Sequence, residues 1–379
     1  MKIAPEIIHT IHSGLNKTWI FDKNIESWHR IAMRRANSIE KVNFILDSLS
    51  ECLYLEDKSL EVEVWNMTFK NPVWLAAGFA KQSHWLKTLE ALWFGYLTIW
   101  WITQYAQSWN REPRIFKFNN TDIVNGMWLP GDWIDWEVKR LYDRKKLWLM
   151  PNIPIIANLC NSARTTDENK TDEFLHLMDK LYLFIDWFEV NVSCPNQCWV
   201  TGMQQEIILK NLLTRIMNHN KKLALENGCE RKTILVKIAP LTKNEDNPEN
   251  IKDLTIEWLE LIANVCNDVW IDGVTATNTS QEHDYDTQII KPDWGIIKWW
   301  RSWLWVHSQS LRTVTELRKR LNSDIPIIWV GWIGYDKWQS WVNMTNAGAT
   351  SIALLSSLVQ NSIGVPHYLK KAILESKEK

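Results

Sequence analysis

Residues Phe188-Glu189-Val190-Asn191-Val192-Ser193-Cys194-Pro195-Asn196 join a short apolar run to a cluster of hydrogen-bonding side chains. Phe188 to Val192 reads as a buried strand that runs straight into a polar corner. Asn191 and Asn196 each offer one amide acceptor and two donors. Cys194 offers a thiol, and Pro195 fixes the turn that separates it from Asn196. Such a corner suits a flat, polar, hydrogen-bonding molecule held against a weak base. The bland reading of the same residues is a capped strand end with a small buried cysteine. A short motif alone does not separate the two.

The chain that must position this corner has 379 residues, enough for one barrel or two smaller domains. Its formal net charge of -1 gives no electrostatic argument for a nucleic-acid partner. The six cysteines are scattered without a CxxC pair. Neither a metal site nor a disulfide framework is therefore expected, and a reducing compartment is the simpler reading. No signal peptide and no bilayer-spanning run is recognisable.

Tryptophan and glycine are out of proportion. There are 26 tryptophans against 13 glycines, whereas glycine alone is ordinarily about 7% of residues. Pairs such as Trp100-Trp101 and Trp299-Trp300, and the run Trp303-Leu304-Trp305, fall at strand ends and in loops. Trp329-Val330-Gly331-Trp332 follows a β-branched run, where a tight turn wants a residue without a Cβ. Many of these tryptophans are expected to be glycine positions, through a reassigned codon or deliberate substitution. An authentic aromatic surface for sugars or a membrane interface is the alternative. It does not explain paired tryptophans inside turns.

Positioning elements can be read from the periodicity. Ile7, Ile8 and Ile11 have helical spacing, and a second helix is expected from Ile25 on through Val42, Ile45 and Leu46. Arg30, Arg34, Arg35 and Lys41 make it basic, as in helices that pack on a domain or lie on a membrane surface. From about residue 66 the pattern changes. Near-continuous apolar runs at 73–78, 96–102, 153–159, 188–192, 234–239, 273–279, 325–330 and 351–355 suit parallel strands buried on both faces. Helical stretches at 172–183, 206–225, 251–264 and 310–321 lie between them. Eight alternations predict an α/β fold, a closed (β/α)8 TIM barrel with a small N-terminal helical extension. A doubly wound sheet is the alternative, weakened by the lack of GxGxxG even with glycines restored.

In a barrel the chemistry belongs at the C-terminal ends of the strands. Those ends carry Ala76-Ala77-Gly78-Phe79-Ala80-Lys81, Asn125, Asn158, the opening motif, Lys237, Thr277-Asn278-Thr279 and Gly331. Lys81 and Lys237 each close an apolar run on the same rim. With Trp read as Gly, several of these ends become glycine turns, whose exposed backbone N–H groups bind phosphate.

Taken in order, Asn71-Pro72-Val73-Trp74-Leu75-Ala76-Ala77-Gly78-Phe79, Asn191-Val192-Ser193-Cys194-Pro195-Asn196, Val236-Lys237-Ile238-Ala239-Pro240, Asp272-Gly273-Val274-Thr275-Ala276-Thr277-Asn278-Thr279 and Ile325-Pro326-Ile327-Ile328-Trp329-Val330-Gly331-Trp332-Ile333 resemble the dihydroorotate dehydrogenase family. The family pattern has glycine where this chain has Trp74, Trp93, Trp100, Trp128, Trp299, Trp300, Trp303, Trp329 and Trp332. The stretch from Phe21 to Arg30 resembles the helical extension of the membrane-associated, quinone-reducing class 2 branch. The resemblance implies a barrel domain over 66–379 that binds FMN, and an extension over 1–65 that associates with the membrane and leads quinone in.

By position, the resemblance makes Cys194 the base that takes a proton from C5 of dihydroorotate. Lys81, Asn125, Asn191, Asn196, Asn278 and Thr279 would hold the substrate or the product orotate. Ala76, Ala77, Gly78, Asn158, Asn191, Lys237, Thr277, Gly331, Ser356 and the Trp303 position read as Gly would hold FMN. His29 and Arg114 would line the quinone path. The implied location is peripheral, on the cytoplasmic side of the cell membrane. Three features depart from class 2: Cys194 stands where serine is usual, Ala80 replaces an acid, and the segment after Asn196 lacks an arginine. A soluble class 1-like enzyme using fumarate or NAD is thus the alternative, and an inactive barrel follows if the tryptophans are literal.

Overall fold

The computed structural model describes residues 35–64, 67–80, 83–108, 114–118, 122–125, 131–193, 206–243, 253–280, 290–291, 295–296, 300–331, 338–360 and 363–377. Strands β1 (Val62–Val64) and β2 (Met67–Phe69) form an antiparallel hairpin. Then come β3 (Val73–Ala80), β4 (Leu97–Ile102), β5 (Ile115–Phe118), β6 (Asp122–Asn125), β7 (Ile155–Leu159) and β8 (Trp187–Asn191). The remainder are β9 (Thr233–Ile238), β10 (Gly273–Ala276), β11 (Ile290–Lys291), β12 (Gly295–Ile296), β13 (Trp300–Trp303), β14 (Ile327–Val330) and β15 (Ser351–Leu354). The helices are α1 (Asn43–Leu53), α2 (Leu86–Glu90), α3 (Ile134–Lys146), α4 (Lys170–Leu181), α5 (Glu206–Asn227), α6 (Ile256–Val269), α7 (Leu304–Arg318), α8 (Trp338–Asn346), α9 (Ser356–Gln360) and α10 (Val365–Lys377).

Eight strands close a barrel in the order β10-β14-β15-β3-β4-β7-β8-β9. The neighbours run parallel, and a helix covers each crossover, which is what strands buried on both faces require. The expected (β/α)8 architecture is present. The helices dock by apolar stripes. On α5, Leu209, Leu212, Leu213, Ile216, Met217 and Leu223 are buried at three-and-four spacing.

Side-chain alternation splits each strand between two cores. On β7, Ile155, Ala157 and Leu159 face the helices, while Ile156 points inward. The lower interior is apolar and aromatic: Trp74, Tyr96, Ile156, Trp187, Leu235 and Ile328 fill it, and Phe69 of the β1–β2 hairpin plugs it from below. Phe69 lies 4.9 Å from Trp74 and 5.0 Å from Trp187, centroid to centroid. Above this layer the interior turns polar, so the packed floor leaves the chemistry to the C-terminal rim.

The extension departs from expectation at its helix and at its boundary. Residues 1–34, including His29, lie outside the described residues. The helix expected to run through Val42 breaks there: Val42 is extended, with φ -123 and ψ 92, and α1 starts afresh at Asn43. The break turns buried Glu40 toward Arg144 of α3, which donates from Nη1 and Nη2 to its two carboxylate oxygens, both at 2.8 Å. The expected domain boundary at 65/66 falls inside the β1–β2 hairpin. Arg144→Leu is expected to destabilise the fold by about 3–5 kcal/mol in urea unfolding, because it strands a buried carboxylate. Adding Glu40→Leu is expected to recover most of that loss.

Lys370 of α10 is the second buried charge holding this end together. Its Nζ donates to Leu55 O at 3.2 Å and Trp93 O at 3.4 Å. Burial pushes its pKa down to about 7, against a smaller upward pull from Glu56. Above that value the folded chain has lost a proton that the unfolded chain still holds. Stability therefore rises with pH from about 7 to 10, on the order of 1 kcal/mol per unit, and the full burial penalty applies below 7. Lys370→Met is expected to flatten this rise in urea midpoints measured from pH 6 to 9.

Candidate active site

Three adjacent strands, β7, β8 and β9, bring Asn158, Glu189, Asn191 and Lys237 to one face inside the barrel. Register pairs Asn158 with Glu189 and Asn191 with Lys237, and paired residues on parallel strands point the same way. All four are buried. Asn158 Nδ2 donates to Glu189 Oε1, and Lys237 Nζ stands 3.7 Å from the same oxygen. Asn191 Nδ2 donates to Asn158 Oδ1 at 3.3 Å, and Asn191 Oδ1 accepts from Ser193 N at 3.1 Å and Ser193 Oγ at 3.2 Å.

The network continues around the rim. Asn278 Nδ2 donates to Ser193 O at 3.0 Å, and Asn278 Oδ1 accepts from Thr279 N at 2.9 Å. Thr277 lies between β10 and β14: its N–H donates to Val330 O at 3.1 Å, and its Oγ1 shares a hydrogen bond with Ser310 Oγ at 2.8 Å. The strand expected to reach Thr279 ends at Ala276, because the chain turns there to make these crosslinks. Below the rim, burial and then the Glu189 carboxylate hold the Tyr96 hydroxyl well above the usual phenol range.

The remaining expected residues divide by place. Ala76, Ala77 and Gly78 lie in the upper half of β3. Gly78 has φ +117, and a Cβ there would lie 2.6 Å from Leu355 Cδ1, so a side chain fits neither the backbone nor the space. Gly331 follows β14, and Ser356 opens α9 just after β15. Asn125 ends β6, which belongs to a separate three-stranded antiparallel sheet, β13-β6-β5, and not to the barrel wall. Trp303 ends β13 in that same sheet, opposite Asp122. Arg114 is buried just before β5. Lys81, Cys194 and Asn196 lie outside the described residues.

Sequence reasoning gave Glu189 and Thr275 no role in the site. Glu189 carried a signal: an acid inside Phe188-Glu189-Val190, a run buried on both faces, demands a partner. Thr275 pairs in register with Lys237 and so shares its face. Its Oγ1 is buried and has no hydrogen-bond partner. An orphaned hydroxyl beside a buried lysine and two amides fits the polar edge of a flat heterocycle such as the flavin ring. The far end is tighter. A Cβ on Gly331 would lie 2.6 Å from Trp329 Nε1, and that buried indole N–H also lacks a partner.

Fold and rim together define a (β/α)8-barrel enzyme with amide, hydroxyl and lysine groups gathered at the strand C-termini. The chain belongs to the dihydroorotate dehydrogenase family, whose pattern matches residues 59–376. It is 31% identical over 286 residues to a dihydroorotate dehydrogenase (quinone) of Gloeobacter violaceus, covering 75% of this chain and 72% of that one. It is 29% identical to the protein of the same description from Psychrobacter sp., over 91% of this chain and 92% of the relative. A ligand-free crystal structure of the Eimeria tenella enzyme shares the fold, with TM-score 0.73, 24% identity, and coverage of 88% of this chain and 93% of that one.

Proposed function

We propose that this protein oxidises (S)-dihydroorotate to orotate in de novo pyrimidine biosynthesis, using FMN and passing electrons to a membrane quinone. The observation that carries the reading is the buried set Asn158, Asn191 and Lys237 with the orphaned Thr275 hydroxyl, on one face at the C-terminal rim. Family membership supplies the reaction, and the names of the curated relatives supply the quinone.

Bound FMN supplies a two-electron acceptor for the hydride that leaves C6. The chain's own groups do the rest. Lys237 provides a fixed positive charge where negative charge builds on the reduced ring. Asn158, Thr277 and the small residues Ala76, Ala77 and Gly78 shape the ring site, and Gly331 and Ser356 serve its phosphate end with the 303 position. Asn191, Asn196 and Asn278 match the amide edges of the pyrimidine, with Asn125 and Thr279 beside them, and Lys81 matches its carboxylate. Cys194 takes the C5 proton; a thiol titrating near 8.5 is a better base near neutrality than a hydroxyl.

Residues 1–65 are proposed as the membrane-associating, quinone-guiding extension, and 66–379 as the FMN barrel. In support, α1 and its N-cap expose Phe44, Ile45 and Val42. Among the described residues no helix is long and apolar enough to cross a membrane; the proposed location is peripheral, at the cytoplasmic face. Cys194 favours the second reading, a class 1-like acceptor.

The test is to purify the enzyme, reduce its flavin with dihydroorotate, and offer quinone, fumarate and NAD separately. Reoxidation by quinone is expected. Reoxidation by fumarate or NAD alone overturns the quinone assignment, and absence of a flavin absorption band overturns the enzyme reading.

A further inference from the structure

Among the described residues, five non-glycine positions have positive φ, and four of them are tryptophans: Trp85 (φ 52), Trp93 (φ 64), Trp148 (φ 57) and Trp270 (φ 56); the fifth is Ser83. Tryptophan has no chemistry that favours this region, whereas glycine enters it freely. Four helix ends make the comparison within one molecule. After α5, Gly228 (φ 62) donates to Leu225 O, and Cys229 N donates back to Ala224 O. After α8, Gly348 (φ 101) and Ala349 repeat the pattern onto Thr345 O and Met344 O. After α3 the same two bonds run from Trp148 to Lys145 O and from Leu149 to Arg144 O. After α6 they run from Trp270 to Asn267 O and from Ile271 to Cys266 O. This is the left-handed helix stop whose central residue is ordinarily glycine. Two of the four have it, and two have tryptophan.

The Trp148 and Trp270 side chains are mostly exposed, at 89% and 66%, so no burial compensates for the backbone they occupy. Inside the barrel the conflict is over space. A Cβ on Gly95 would meet the Trp74 ring at 2.7 Å, and one on Gly331 would meet the Trp329 ring at 2.6 Å, so each indole leans on a glycine. By contrast Trp136 and Trp341 sit in helices, with ordinary backbone. We propose that positions 85, 93, 148 and 270 are glycine in the protein made by its native cell, where the codon at these positions is decoded as glycine.

Peptide mass spectrometry on protein from the native source tests this directly. Glycine is expected at 85, 93, 148 and 270, and tryptophan at these positions overturns the proposal. As a second measurement, Trp148→Gly and Trp270→Gly are made separately in the chain that carries tryptophan at these positions. Each is expected to raise the urea midpoint, and a lowered midpoint removes the structural premise.

Glu189 carries an independent inference that rests on the proposed function. A carboxylate only accepts, so it draws the Nδ2 end of Asn158 toward itself. That turns Asn158 Oδ1 to Asn191, whose Oδ1 is in turn left to Ser193 N and Oγ. We infer that Glu189 is a positioning residue: it sets the polarity of both amides that face the heterocycles. A glutamine at 189 can flip and offer either end, so the chain of orientations is no longer imposed.

Glu189→Gln leaves buried Lys237 without its facing charge, so its melting temperature is expected to fall; well below that temperature, FMN binding, by flavin fluorescence, and orotate binding are expected to be weakened at least 10-fold. Loss of binding only at temperatures where the variant is already unfolding marks a merely structural role and overturns the inference. So does unaltered affinity in a variant whose parent binds both. A parent that binds neither overturns the proposed function instead.

Discussion

Cys194→Ala is expected to slow reduction of the flavin by dihydroorotate about 10²–10⁴-fold while leaving flavin content unchanged. The effect is large because the substrate C5 proton has no other acceptor in the proposed arrangement. Ser193, the described residue next to 194 in sequence, is tied to both Asn191 and Asn278. Ser193 donates from both N and Oγ to Asn191 Oδ1, and its carbonyl accepts from Asn278. Cys194→Ser tests the chemistry without the loss of volume. A hydroxyl titrates far above a thiol, so rapid-mixing flavin reduction is expected to persist with its pH optimum moved toward alkali. Wild-type reduction rates in Cys194→Ala would move the base elsewhere.

The barrel was legible because its strands are long apolar runs that need no partner to be recognised. Val73 to Gly78, Ile153 to Leu159 and Ile234 to Ala239 map onto β3, β7 and β9 within two residues at each end. The inward polar residues were legible for the opposite reason, since Asn158, Asn191 and Lys237 interrupt the apolar runs at 153–159, 188–192 and 234–239. Asn125 was harder. Its strand pairs with β13, and Asn125 lies opposite Trp300, a long-range pairing that no local pattern announces. The break at Val42 was hidden because it is set by Arg144 drawing Glu40 inward, a contact between distant segments. The tryptophan anomaly was visible in composition, but Trp148 and Trp270 became specific only with backbone angles. A helix stop depends on φ at one residue, and a side chain that violates it leaves no periodic trace.

Lys237→Met is expected to abolish turnover and, separately, to destabilise the barrel. The two losses have different origins. Glu189 is 3% exposed and Lys237 is the cation facing it, so removing the ammonium leaves a buried carboxylate with the Asn158 amide as its hydrogen-bond donor among the described residues. Breaking such a pair from one side is worth about 3–5 kcal/mol. Turnover fails because the positive charge that accepts density on the reduced ring is gone. Lys237→Met combined with Glu189→Gln separates these effects. The double variant buries no unpaired charge, so its urea midpoint is expected to return most of the way to the parent. Dihydroorotate-dependent turnover at saturating FMN and dihydroorotate is expected to stay far below that of Glu189→Gln alone. If turnover returned together with stability, Lys237 would serve only to neutralise Glu189, and the charge complementing the reduced ring would have to come from another group on the rim.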